Sequence, residues 1–120
     1  MNLHKHHESS CAILTVSCDR IDAANAVHIK DAFAAAIAAE TGRIIMDLAA
    51  VSFMDSSGLG AMVASMKLID NGRKLELCNL SQAVNKVFTL TRMYSVFEIH
   101  PDLETALADT SSLSDDVSAA

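Results

Sequence analysis

Short apolar segments of strand length alternate along this chain with longer segments whose apolar residues recur every three or four positions. Residues 12–17, 43–48, 75–78 and 96–99 are predicted to form strands, and a weaker strand is predicted over residues 2–7. Because helices separate most of these strands, the strands are expected to lie parallel and to be joined by right-handed crossovers. The predicted fold is α/β, with a mainly parallel central sheet of about four to five strands flanked by about four helices.

The first two helices have recognisable end signals. Asp22 is a suitable N-cap for a helix over residues 23–41, and Gly42 is a suitable C-cap. The second helix is predicted to begin after Ser56 and to end near Asn71-Gly72.

The last two helices are also marked by their start signals. Ser81 is a suitable N-cap for the third helix, and Pro101 suits the first turn of a closing helix. Residues 111–120 are polar and acidic and are expected to form a flexible tail. The domain is therefore predicted to span residues 1–110.

Composition excludes several classes of function. Hydrophobic residues make up 51% of the 120 residues, which is enough for a packed core. The formal net charge is −6 and no cluster of Lys and Arg is present, so neither nucleic acid nor an anionic membrane surface is an expected partner.

Compartment and redox chemistry follow from the same sequence. No apolar run approaches the ~20 residues that cross a bilayer, and the first residues lack the apolar core of a signal peptide. A cytoplasmic location is therefore expected. Cys11, Cys18 and Cys78 form no Cys-x-x-Cys pair and are interpreted as small packing residues.

The second core strand leads into a short polar corner, Asp55-Ser56-Ser57-Gly58, where the second helix begins. Functional groups of α/β proteins gather at the carboxyl ends of strands. A phosphate on a serine at a helix start would face free backbone N–H groups and the positive end of the helix dipole. The pattern favours a phosphorylatable switch at Ser56 over a catalytic centre, although either serine could be a simple N-cap.

The second helix has a face of small residues that is not expected to contact the sheet. Ala61, Ala64 and Leu68 share this face, and Ser65 lies beside them. A solvent-exposed helix face normally carries charged residues. Three interpretations fit: another helix covers the face, alanine is present only as a good helix former, or the face is a docking surface beside Ser56.

Residues 51–60, followed by a helix, a Gly-containing turn and the strand Lys74-Leu75-Glu76-Leu77, resemble the STAS-domain family and its bacterial anti-sigma factor antagonists. Ile21-Asp22 is similar to the acidic end of the family's Gly-Glu-Leu-Asp segment. Residues 80–88 are similar to its Ser-Pro-x-Val-x-x-Leu-Phe segment. The resemblance covers roughly residues 10–108 and implies a small sheet flanked by helices, in agreement with the prediction above.

The resemblance implies a partner-switching role. Ser56 would be the phosphorylation site, and the partner would be an anti-sigma factor that is also a serine kinase with a histidine-kinase-like ATPase fold. The unphosphorylated chain would bind this kinase and free its target, phosphorylation would end the binding, and a PP2C-type phosphatase would restore it. No cofactor is implied. The predicted partner-binding residues are Asp22, Asp55, Ser57, Gly58, Ala61, Ala64, Ser65 and Leu68.

Some residues depart from the family pattern. Asp19 and Arg20 stand where the family usually has Gly and Glu, and Gln82 replaces the usual Pro. These departures leave the acceptor serine intact and bear on which partner is recognised.

Several alternatives remain open. A STAS subunit of a transport or signalling complex would keep the fold without phosphorylation. An enzyme would show a deep cavity at Ser56, and a receiver domain would use Asp55 as its acceptor but lacks an acidic pair after the first strand. His4, His6 and His7 are interpreted as a surface strand rather than a metal site.

Overall fold

The computed structural model describes residues 3–69 and 73–109. The elements in chain order are β1 (Leu3–Glu8), β2 (Cys11–Val16), β3 (Arg20–Ile21), α1 (Ala26–Ile37), β4 (Ile44–Asp47), β5 (Phe53–Met54), α2 (Ser56–Met66), β6 (Glu76–Cys78), α3 (Gln82–Leu90), a 3-10 turn (Met93–Ser95), β7 (Glu98–His100) and α4 (Leu103–Ala108). The prediction of a small α/β domain is confirmed.

A five-stranded sheet in the order β1-β2-β4-β6-β7 forms the centre of the molecule. The pairs β2–β4, β4–β6 and β6–β7 are parallel, as the alternation of strands and helices predicts. Among the strands of residues 3–69 and 73–109, only β1 is antiparallel to its neighbour: it forms a hairpin with β2 through Ser9 and Ser10, which both have positive φ angles. The weaker strand predicted over residues 2–7 is thus present as an edge strand.

Side chains alternate between two cores of unequal size on the two faces of the sheet. Along β4, Ile44 and Met46 belong to the larger core under α1, α2 and α3, where Phe88 and Phe97 meet edge to face. Ile45 belongs to the smaller core, which α4 covers with Ala106. Burial on both faces explains the nearly continuous apolar run of β4.

The predicted helix ends are wrong in three places. Helix α1 begins after Asn25, because Asp22 closes a separate turn by accepting a hydrogen bond from Ala24 N at 3.0 Å. The same helix ends at Ile37, with Ala38 as its C-cap, before Gly42. Helix α2 ends at Met66, several residues before the predicted stop at Asn71-Gly72, which lies outside the described residues.

Start signals of the later helices agree better with the structure. The Ser81 hydroxyl accepts a hydrogen bond from Val84 N at 3.2 Å and caps α3, as predicted. Helix α4 is capped by Asp102, so Pro101 precedes the cap rather than occupying the first turn. The predicted acidic tail over residues 111–120 lies outside the described residues.

Two structural features were not predicted by the sequence pattern. Strands β3 and β5 form a separate two-stranded parallel sheet, in which Arg20 pairs with Phe53 and Ile21 with Met54. The last strand, β7, covers Glu98–His100 rather than residues 96–99. Two-residue strands are too short to show a period of two, which explains why β3 and β5 escape sequence analysis.

A buried charged cluster fixes α4 to the sheet. Arg43 Nε donates to Glu76 Oε2 at 2.7 Å, and His100 Nε2 lies 2.8 Å from the other oxygen of the same carboxylate. The Arg43 guanidinium also donates to the carbonyl oxygens of Ala106 and Asp109 at the end of α4. The hydrogen bond to Glu76 is the main reason that the pKa of Arg43 is raised, although burial of the guanidinium opposes it.

We expect replacement of Glu76 by alanine to lower the free energy of unfolding by about 3–5 kcal/mol, because it leaves buried Arg43 and His100 without their shared partner. Glu98→Ala is the matched control, since Glu98 lies beside Glu76 in register and is only half-buried. Its cost should stay within about 1 kcal/mol. Urea unfolding of both variants measures the difference, and equal midpoints would contradict a structural role for the cluster.

Candidate functional site

The polar corner between β5 and α2 is built by the Asp55 side chain. Asp55 is the N-cap residue of α2, with extended backbone angles, and its Oδ1 accepts a hydrogen bond from Gly58 N at 2.9 Å. The carboxylate therefore satisfies one of the free N–H groups of the first turn. Ser56 and Ser57 follow as the first helical residues, and both are exposed. The interpretation of either serine as the N-cap is wrong, because Asp55 fills that position.

Gly58 allows the first turn of α2 to lie directly on β3. A Cβ atom at this position would overlap the carbonyl oxygen of Ile21 and would lie 2.9 Å from Met54 Cγ. Asp55 N donates to the same carbonyl oxygen at 3.4 Å. The absence of a side chain at Gly58 thus sets the distance between the helix start and the adjacent strand. Gly58 was predicted to contact a partner, but the structure places it in the interior, where it has a structural role.

The end of β3 places a second polar group beside the corner. Asp22 Oδ2 accepts a hydrogen bond from Arg20 Nε at 3.1 Å, and this bond is the main reason that the pKa of Asp22 is lowered. The guanidinium carbon of Arg20 lies 4.2 Å from the centre of the Phe53 ring. Asp22 is half-buried, Arg20 is exposed, and Phe53 is 38% exposed. Arg20 and Phe53 thus join Asp22 in one surface cluster.

Helix α1 covers part of the small-residue face of α2. Ala61 and Ser65 are buried, with Ser65 only 1% exposed. Both side chains therefore offer little exposed area to a binding partner. Ala64 is half-buried and Leu68 is 45% exposed in the turn after α2. The interpretation that another helix covers this face therefore holds for the buried positions, while a strip beside α1 stays open.

This open strip is a groove of about 390 Å³ between α1 and α2. It is lined by residues of both helices and of the turn before α1: Ala23, Ala26, Val27, Lys30, Ser57, Gly60, Ala61 and Ala64. Val27 is 66% exposed, and a Cβ added at Gly60 would meet no atom within 4 Å. The groove is largely apolar and adjoins the corner through Ser57.

The structure brings together most of the predicted site residues. Ser56, Ser57, Asp55 and Asp22 lie around the start of α2, whereas Leu68 lies beyond the far end of that helix. Sequence analysis did not single out Val27 as a surface residue or Phe53 as the partner of Arg20. A valine on a helix and a phenylalanine after a strand usually pack inside, so no local signal marks them as exposed.

The described residues contain neither a metal-binding cluster nor a thiol with a lowered pKa. No group of three or more His, Cys, Asp or Glu within residues 3–69 and 73–109 could hold a metal ion. Burial raises the pKa of Cys78 to about 12 and also raises the pKa of Cys11 and Cys18. Thiols with raised pKa values are poor nucleophiles. Cys11 and Cys78 are buried packing residues as predicted, and Cys18 is half-buried beside Asn25.

The described part of the chain also contains no helix of sufficient length and apolar character to cross a membrane.

Comparisons with known proteins agree with this geometry. A family model described as the STAS domain matches residues 2–106. The chain is 28% identical over 67 residues to an anti-sigma F factor antagonist from Paenibacillus polymyxa; the match covers 55% of this chain and 57% of that relative. The chain therefore spans little more than half of the relative's length.

Two solved structures share the fold. An anti-sigma factor antagonist from Mycobacterium paratuberculosis superposes with a TM-score of 0.78 at 23% identity, covering 89% of this chain and 93% of that one. The Bacillus cell fate determinant SpoIIAA in its phosphorylated form gives a TM-score of 0.61 at 20% identity, with 87% and 96% covered.

Gly58 and Gly60 provide a matched pair for testing the packing of the corner. We expect Gly58→Ala to destabilise the protein by about 1–3 kcal/mol, because the new methyl group overlaps the Ile21 carbonyl. Gly60→Ala should stabilise α2 by about 0.5–1 kcal/mol, because the added methyl group has open space and alanine favours helix. Thermal unfolding of the two variants measures both effects, and equal shifts would refute the close approach.

Proposed function

This chain belongs to the STAS domain family, and from that premise we propose that it is an anti-sigma factor antagonist controlled by phosphorylation of Ser56. In its unphosphorylated form it binds an anti-sigma factor that is also a serine kinase, and so releases the target of that factor. Phosphorylation of Ser56 by the same kinase ends the binding. A phosphatase of the PP2C type removes the phosphate and restores it.

The observation that carries this proposal is the position of Ser56. Its side chain is exposed at the first residue of α2, and the N-cap role belongs to Asp55. The hydroxyl is therefore free of a capping role and open to a kinase. A phosphate at this position lies at the positive end of the helix dipole, so the fold tolerates its charge.

The adjoining groove supports a protein partner rather than a small substrate. The groove is open and largely apolar, and Ser56 does not line it. An enzyme acting through Ser56 would hold its substrate in an enclosed cavity around that side chain. We therefore propose a binding protein without enzymatic activity, whose docking surface consists of Ser56, Ser57, Gly60, Ala64 and Val27.

Charge explains how one phosphate switches this surface. A phosphoserine adds about −1.5 to −2 charges and three strong acceptor oxygens. Within an interface these charges must lose water, and they already stand beside Asp55 and Asp22. A loss of ~3 kcal/mol in binding free energy lowers affinity roughly a hundredfold. The switch therefore requires no change in the fold.

We expect mass spectrometry to find a single phosphate on Ser56 after the chain is incubated with ATP and an anti-sigma factor kinase of its source organism. Ser56→Ala should remain unmodified, and Ser57→Ala should still be modified. Isothermal calorimetry should show that Ser56→Asp binds the kinase at least about tenfold more weakly than the unmodified chain, as expected for a loss of ~1.4 kcal/mol.

Two outcomes would contradict the switch: phosphate on another residue, or full binding by Ser56→Asp. If Ser56→Ala also regulates its target normally in cells and no phosphate is found, the chain is a STAS subunit that works without phosphorylation.

The docking surface can be tested independently of phosphorylation. We expect Val27→Asp to weaken binding to the kinase by at least about tenfold, because it places a charge in the apolar groove. Leu90→Asp is the control, since Leu90 is 73% exposed on α3 and does not line the groove. Calorimetry measures the affinity of both variants for the kinase, and unchanged melting temperatures show that both variants are folded. Equal effects of the two substitutions would place the interface elsewhere.

A further inference from the structure

We propose that Arg20 is the residue that pairs with the phosphate on Ser56, exchanging the Asp22 carboxylate for the phosphate oxygens. This inference rests on the proposed function, because it concerns the phosphorylated form of the same site. It assigns a regulatory role to a side chain that neither the fold nor the docking surface otherwise explains.

Arg20 is held beside the corner by two contacts. Its Nε donates to Asp22 Oδ2 at 3.1 Å, and its guanidinium carbon lies 4.2 Å from the Phe53 ring centre. The side chain is still 55% exposed. Its hydrogen bond to Asp22 uses Nε and not the two terminal nitrogens. The guanidinium is therefore oriented by Nε and by the Phe53 ring, while its terminal N–H groups take no part in the pair with Asp22.

The register of β3 and β5 brings this guanidinium close to Ser56. Arg20 pairs with Phe53 and Ile21 with Met54, so the residues that follow the two strands, Asp22 and Asp55, are neighbours. The Arg20 side chain leans in this direction, because it reaches the Asp22 carboxylate two residues further on. Ser56 is the residue after Asp55. The register therefore places Arg20 on the strand beside the segment that leads into Ser56.

The packing of α2 keeps the two groups close. The first turn of α2 lies on the carbonyl group of Ile21. Ile21 is the residue between Arg20 and Asp22. Because Gly58 allows this close approach, a phosphate on Ser56 projects from a turn that is packed against β3 itself. The distance to Arg20 is therefore set by the fold rather than by a flexible loop.

Charge favours the exchange of partners. A phosphate carries more charge than a carboxylate, and its oxygens match the planar fork of arginine. Asp22 loses little in the exchange, because its Oδ1 keeps the hydrogen bond from Ala24 N. Asp19, Asp22 and Asp55 repel the phosphate, whereas Lys30 lines the groove beside Ser57. The surrounding helices also carry Asp31 on α1, Lys67 at the far end of α2, and Lys86 on α3, which packs against β5. Arg20 is the cation that these contacts already direct toward the corner.

The exchange would act beside the docking surface. The phosphate adds negative charge next to the groove, and Arg20 gives up its hydrogen bond to Asp22 in order to pair with that charge.

The test uses the full chain with phosphoserine incorporated genetically at position 56, so that no kinase is required. The second pKa of the phosphate, about 6 when unperturbed, is measured by phosphorus NMR titration. A nearby guanidinium stabilises the dianion and lowers this pKa. We expect Arg20→Gln to raise it by at least about half a unit and Arg20→Lys to raise it less. Lys86→Gln, which removes an exposed cation on α3, should leave it unchanged.

Two results would overturn the inference: equal phosphate pKa values with and without Arg20, or a larger rise in Lys30→Gln than in Arg20→Gln. Unmodified Arg20→Gln should melt at nearly the same temperature as the parent, since the Arg20 side chain is 55% exposed. Failure of the kinase to modify Ser56 would reject the proposed function but leave this measurement intact. A null result in this titration would leave the proposed function standing.

Discussion

The close approach of α2 to the carbonyl oxygen of Ile21 determines the geometry of the whole functional corner. It requires a residue without a side chain at Gly58, and Asp55 completes it by capping the same turn. A helix that starts this near a strand has no room for its first side chains on the inner side. Ser56 and Ser57 are consequently directed outward. One packing constraint thus decides which hydroxyl groups reach solvent, before any partner is involved.

The sequence was sufficient to predict the parallel core, because runs such as Ile44–Met46 are buried on both faces and carry a strong apolar signal. It also located the corner and its serines. The helix ends were harder to predict from the sequence. Asp22 and Asn25 are both suitable cap residues in the same turn, and only the geometry shows which of them flanks the helix.

Other features depend on contacts between residues far apart in the chain. The Arg43–Glu76 pair spans 33 residues, and a charged residue at the start of a strand is normally interpreted as exposed. The pairing of Arg20 with Phe53 depends on two strands of two residues each. Strands this short are not recognisable from alternating polar and apolar residues in the sequence. The partial cover of α2 by α1 is one of the three interpretations that the small residues Ala61 and Ala64 left open.

The hairpin of β1 and β2 has a further consequence for the behaviour of the molecule in solution. Five of the six residues of β1 are exposed, and its turn holds Ser9 and Ser10 in a backbone region that serine rarely adopts. Such a strand opens more readily than the parallel core. Its departure would uncover the edge of β2, an apolar strand buried over nearly its whole length, and unpaired edges of that kind template strand addition between molecules. The charged and histidine-rich β1 therefore shields the apolar edge of β2 from pairing with a strand of another molecule.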